Sequence, residues 1–156
     1  MKKLLFTVAI LATVLVQKTI AQNNTETSQL LNSYLDIKNA LVVGNATTAT
    51  AKAEEFIQTL NTIDAKIINT DSHDALLKDA QHITKTKDIK HQREHFATFS
   101  TNMYTLAKAV KLADKPVYYA YCSMKKAHWL SSEPAIKNPY FGIAMLTCGK
   151  VEETLK

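Results

Sequence analysis

Four sulfur-bearing side chains near the C-terminus offer the clearest chemistry in this chain. They are Cys122, Met124, Met145 and Cys148, which include both cysteines and two of the four methionines. They run as Cys-x-Met at one end of the stretch and Met-x-x-Cys at the other. Thiolate and thioether are soft, polarisable donors, so this set favours Cu(I) or Ag(I) over hard cations. Methionine is the telling member, because zinc sites are built from Cys, His and carboxylates. The 26-residue separation of the cysteines matches no Cys-x-x-Cys metal motif. A disulfide between Cys122 and Cys148 is the competing reading, since an exported chain with two cysteines most often joins them. Closing that loop stabilises a fold by about 3 kcal/mol in the chain-entropy model. The methionines would then fill gaps in the core. Inert thiols are the third reading, and residue chemistry alone leaves all three open.

The histidines are the next candidates. His91 and His95 stand four residues apart, so on a helix both imidazoles can face one side and share a metal. The bland alternative is a solvated His91 beside a hydrogen-bonded His95. His73 opens the third helical stretch, His128 lies between the two sulfur pairs, and His82 has no suggestive neighbour. No Gly-x-Ser-x-Gly, glycine-rich phosphate loop or His-Glu-x-x-His occurs, so an enzyme is not expected.

The elements that must position these residues read as helices. Leu30, Leu31, Tyr34, Leu35, Ile37 and Leu41 recur at helical spacing, and Gly44-Asn45 follows as a cap. A second helix should start near Thr47 or Thr48 and bury Ala53, Phe56 and Leu60. Asp71 or Ser72 can cap a third, through Leu76, Ala80 and Ile83. Asp88 should cap the longest, about Ile89 to Leu112, with Gln92, Phe96, Phe99, Met103, Leu106 and Val110 on its buried face. Val117 to Tyr121 is rich in β-formers, yet no sheet is expected. The predicted fold is therefore all-α: an up-and-down four-helix bundle, with an irregular or extended Cys- and Met-containing segment, residues 118–149, packed on it. Trp129, Tyr140 and Phe141 should seal that segment against the bundle.

The N-terminus sets the compartment. Lys2 and Lys3, the apolar run Leu4 to Val16 and the small residues around Ala21 have the order of a secretory signal peptide over residues 1–21. The run is shorter than the roughly 20 residues of a membrane span. The expected product is an exported, soluble periplasmic protein with no membrane anchor, a mobile leader at 22–27 and one domain at 28–156. The whole chain carries 19 basic and 14 acidic residues; without the signal, 16 basic residues face the same 14. That balance, with no basic stripe interleaved with aromatics, argues against nucleic-acid binding.

Several runs together resemble a known family. Lys115-Pro116-Val117-Tyr118, Cys122-Ser123-Met124, Trp129-Leu130-Ser131, Ile136 to Gly142 and Met145-Leu146-Thr147-Cys148-Gly149 follow one another as in a bacterial domain-of-unknown-function family. Asp88 to Phe96 and Ser72-His73 extend the likeness upstream. That family looks periplasmic and occurs alone or appended to CusB-like adaptors of copper and silver efflux pumps. Its usual Cys-Pro-Met stands here as Cys122-Ser123-Met124. The resemblance implies heavy-metal handling, with copper as Cu(I) the expected cofactor and an efflux adaptor or another copper protein the expected partner. It raises the metal reading above the disulfide: Cys122 and Cys148 as thiolate ligands, Met124 and Met145 as thioethers, and His73 or His95 completing or gating the site. The rival is a Cys122–Cys148 stapled protein-interaction module without metal.

Overall fold

The computed structural model describes residues 25–156; the expected signal peptide at 1–21 lies outside them. Four helices come first: α1 at 25–43, α2 Ala46–Thr62, α3 Thr70–Thr84 and α4 Ile89–Ala109. Three strands follow: β1 Val117–Cys122, β2 Ala127–Ser131 and β3 Lys150–Leu155. Residues 25–27, expected within a polar leader, belong to α1 instead, and the Thr27 hydroxyl donates to the Lys111 carbonyl at 3.0 Å. Among the described residues no helix is long and apolar enough to cross a membrane.

The helix boundaries follow local chemistry. Gly44, at φ +75°, ends α1, and the Asn45 side chain then accepts from Thr48 N to start α2. Asn69, rather than Asp71 or Ser72, caps α3 by accepting from Ser72 N. Asp88 caps α4 as expected, its carboxylate accepting from Lys90 N. Such caps satisfy donors that the first turn of a helix leaves free. On α4 the expected stripe is buried from Gln92 to Leu106, while Val110 is half-buried as the C-cap. Phe56, Phe96 and Phe99 pack with Tyr34 at the centre; Phe56 meets Phe99 edge-on at 4.8 Å and Tyr34 stacks on Phe96 at 5.3 Å.

The all-α expectation is overturned. The C-terminal part is a three-stranded antiparallel sheet in the order β2-β1-β3, packed through β2 on α4. The expected irregular segment thus supplies β1, β2 and a 3-10 turn at Gly142–Met145, and the third strand begins beyond it. Its sequence, Lys-Val-Glu-Glu-Thr-Leu, consists largely of helix formers, so propensity pointed the wrong way. Pairing along β1 decides: Val117 faces Leu155 and Tyr119 faces Glu153, whereas Ala120 faces Val151. Glu152 is the extra residue of that β-bulge. Strand preference is largely a matter of fitting such a surface.

Helices and sheet meet at Tyr34. Its buried hydroxyl shares a 2.7 Å hydrogen bond with Ser100 Oγ on α4 and accepts from Leu130 N on β2 at 3.1 Å. Burial pushes the phenol well above its ordinary pKa, despite those two bonds. A second tie sits at the end of α1, where Arg93 Nη2 donates to the Leu41 carbonyl at 2.7 Å. Gly142, at φ +58°, passes so close that a Cβ there would lie 2.7 Å from the Val42 carbonyl oxygen.

Tyr34→Phe keeps the ring but strands the Leu130 amide. Leaving a buried donor unsatisfied costs about 1–3 kcal/mol. Urea unfolding should show a lower midpoint with an unchanged slope; an unaltered midpoint would mean that water satisfies Leu130.

Candidate functional site

The register of the sheet brings the cysteines together. Tyr121 at the end of β1 faces Lys150 at the start of β3, so the antiparallel pair leads Cys122 and Cys148 towards each other. Their Sγ atoms are 3.9 Å apart, as two free thiols. Cys122 is buried and Cys148 half-buried. Burial, then the hydrogen bond and charge of Cys122, push the Cys148 thiol above its ordinary value of 9.0.

Two residues make that approach possible. Gly149 follows Cys148 at φ +146°, and a Cβ on it would lie 2.8 Å from the Trp129 ring and 2.9 Å from the Tyr121 carbonyl oxygen. Only glycine lets the chain pass so near. Asn138, fully buried, organises the preceding loop. Its Nδ2 donates to the Cys148 carbonyl at 2.7 Å, and its Oδ1 accepts from Tyr140 N at 2.8 Å. Its backbone N–H donates to the Leu146 carbonyl and its carbonyl accepts from Gly142 N. Tyr140 closes the loop, its hydroxyl donating to the His128 carbonyl while its ring meets Trp129 edge-on and lies 6.0 Å from Phe96. Trp129 and Tyr140 are both buried there, as a seal between segment and bundle requires.

The other expected ligands are distributed unevenly. Met145 ends the 3-10 turn, and its carbonyl accepts from Cys148 N at 3.1 Å, which ties the two residues into one turn. Met124 lies in the turn after β1 and is 65% exposed. His73 pairs instead with Asp74 through Nδ1 at 3.1 Å. His95 belongs to a separate cluster on α3 and α4, stacked on His82 at 4.3 Å and edge-on to His91 at 4.5 Å. Burial, then the charges of His82 and His91, lower the pKa of His95. His128 stacks on Tyr119 at 4.5 Å, and its Nε2 pairs with the bulged Glu152 at 2.9 Å. Among the described residues, no three His, Cys, Asp or Glu side chains form a group that could hold a metal ion. The sulfur pair therefore consists of two converged thiols, with Met124 and Met145 close to them along the chain.

Chemically, the pair fits a soft ion. The separation exceeds the roughly 2.05 Å of an S–S bond and lies within twice the roughly 2.3 Å of a metal–thiolate bond, so one ion can touch both sulfurs. The same separation leaves a small closure for oxidation to a disulfide. Sequence reasoning missed Asn138 and His82. Asn138 was legible only as part of an Asn-Pro turn, with no sign that its side chain would be buried. His82 had a usable signal: across the short turn between α3 and α4 it lies symmetrically opposite His91.

The family described as "Protein of unknown function (DUF3347)" matches residues 30–115. The match spans most of α1 and all of α2 to α4, and stops short of β1, so the sulfur site lies outside it. No curated protein and no solved structure matches the chain.

Asn138→Ala should free the Cys148 carbonyl and loosen the turn. Stability should fall by about 1–3 kcal/mol, and a thiol reagent should modify Cys148 faster under native conditions. An unchanged modification rate would mean that the loop is held by Tyr140 and Trp129 alone.

Proposed function

We infer a metal-handling function for this chain, which belongs to the DUF3347 family of proteins of unknown function. It is an exported, periplasmic protein that binds Cu(I) through the thiolates of Cys122 and Cys148. Met145 and Met124 supply thioethers, which suit a carrier because they hold copper less tightly than thiolates do. The observation that carries this reading is the convergence of two free thiols, 26 residues apart in the chain, to 3.9 Å. The half-exposed position of Cys148 gives an ion a route in. Export is supported by the signal-like residues 1–21. The resemblance to domains appended to CusB-like adaptors supports a link to metal efflux, with such an adaptor or another copper protein as the partner.

The chain's own residues do three things for the ion. The β1–β3 register sets the two sulfurs side by side. Asn138 and Gly149 hold the Cys148 backbone in that place. Trp129 and Tyr140, both buried and packed edge-on, anchor the loop that leads to Cys148. Bound copper would neutralise sulfur charge that burial disfavours. A second reading rests on the same proximity: oxidation would close Cys122–Cys148 into a staple of the β1–β3 end, leaving an interaction module without metal.

Competition with a Cu(I) chelator of known affinity tests both. The reduced protein should take up copper, and Cys148→Ser should weaken binding about tenfold or more, which is roughly 1.4 kcal/mol. Met124→Leu with Met145→Leu should weaken it less and leave the fold intact. A pair fully oxidised in protein isolated from the periplasm, with no copper uptake after reduction, overturns the metal reading in favour of the staple.

The pH dependence has a definite sign. Below its raised pKa the Cys148 thiol is protonated, so an incoming ion must displace that proton. Affinity should rise with pH by up to about tenfold per unit for each proton displaced. For Cys148 the rise should extend to higher pH than for an ordinary thiol, because burial and Cys122 raise its pKa. Affinity that stays flat between pH 6 and 8 would exclude thiol ligands.

A further inference from the structure

The α3–α4 hairpin carries a second group of ligating side chains that the sulfur chemistry does not use. His82 comes from the last turn of α3, and His91 and His95 from successive turns of α4. His95 is the centre of the group, with the His82 ring 4.3 Å away in a parallel plane and the His91 ring 4.5 Å away at 60°. All three are accessible: His91 is exposed, and His82 and His95 are half-buried. Glu94 neighbours His95 in the chain, and Asp79 lies one turn before His82 on α3. The Asp79 carboxylate is itself held by Asn102 Nδ2 at 2.7 Å.

We infer that His82, His91 and His95 form a binding site for a borderline divalent transition-metal ion of the zinc or Cu(II) class. Neutral imidazole is the ligand those ions take most readily. A helical pair four residues apart, met by one residue from the neighbouring helix, brings three such ligands from two rigid elements. The rings are stacked rather than aimed at one point, and no three-ligand group is formed as they stand. Two imidazoles bound to one ion through bonds of about 2.0–2.1 Å have centroids roughly 5 Å apart. His82 and His91 must therefore draw away from His95, and the parallel His82 and His95 rings must rotate until both planes meet at the ion. They must also turn about χ2, a torsion with a broad profile in histidine. Asp79 and Glu94 then offset part of the ion's charge. This site differs in hardness from the sulfur pair, so the two would select different ions.

Zinc titration of the untagged full chain by calorimetry tests it, run on the reduced protein and on Cys148→Ser. The expected result is one zinc bound per chain that survives Cys148→Ser and weakens in His95→Gln and in His82→Gln. Loss of outer-shell partners alone costs 10–100-fold in metal affinity, so removal of a ligand should cost about tenfold or more. In proton NMR the imidazole signals of His82, His91 and His95 should move with zinc, while those of His73 and His128 stay in place. Zinc uptake that disappears with Cys148→Ser, that ignores the histidine substitutions, or that never saturates overturns the proposal. Because copper binding at the sulfur pair is read separately, either site can fail without the other.

Discussion

A buried phenol hydroxyl ties α1 and α4 to the edge of the sheet. Tyr34, on α1, stands between Ser100 on α4 and the backbone amide of Leu130 on β2, and its ring lies against Phe96 and Phe99. Because β2 is an edge of the sheet, its outward amides need partners, and an unpaired buried amide is costly. The apolar ring fills the core while the oxygen answers the edge strand. Register follows from this: with Leu130 fixed against the bundle, its opposite residue Tyr119 and the rest of β1 are fixed as well. The β1–β3 pairing that brings Cys122 to Cys148 builds on that placement and on the bonds from Tyr104 and Lys108 of α4 to Glu153 of β3.

The second constraint is backbone approach at the far end of the sheet. Gly149 lets the chain enter β3 against the Trp129 ring and the Tyr121 carbonyl. Asn138 replaces missing ladder bonds there by taking up the Cys148 carbonyl and the amide of Tyr140. Buried polar groups of this kind rigidify only when fully paired, and this one is paired on both its amide nitrogen and its oxygen. The loop is irregular but anchored at both ends. Thiols separated by 26 residues are therefore held as neighbours without a covalent link.

The helices were legible because their signals are local. Asp88 capped α4, Gly44 and Asn45 separated α1 from α2, and the α4 stripe was buried almost as spaced. The sheet was not, because strands are defined by partners. Val117 to Tyr121 had the right residue types, but its second partner, residues 150–155, carries helix-forming ones. Only long-range pairing overrides that local preference. The same reason explains the site. Cys122 and Cys148 stood out by rarity, whereas Asn138 matters through burial and His82 through the antiparallel return of α4 along α3, neither of which is a property of a short window. His95 was noticed for its helical pairing with His91, and its second ring neighbour, His82, comes from α3.

Burial narrows what the sulfur pair can be. Two thiolates 3.9 Å apart repel, and the surroundings that raise the Cys148 pKa disfavour its charge further. Three arrangements relieve this: both groups protonated, both sulfurs joined, or a cation between them. Protonation needs no special geometry, so it does not explain why a glycine and a buried asparagine hold the Cys148 backbone beside Cys122. Joining and metal capture both need that geometry, and they differ in what they ask of solvent access. A staple is most durable when sealed on both sides. Here Cys122 is sealed and Cys148 is half-open, with Met145 in the same hydrogen-bonded turn. That asymmetry suits an ion that must arrive and leave, and it is the physical argument behind the metal reading proposed above.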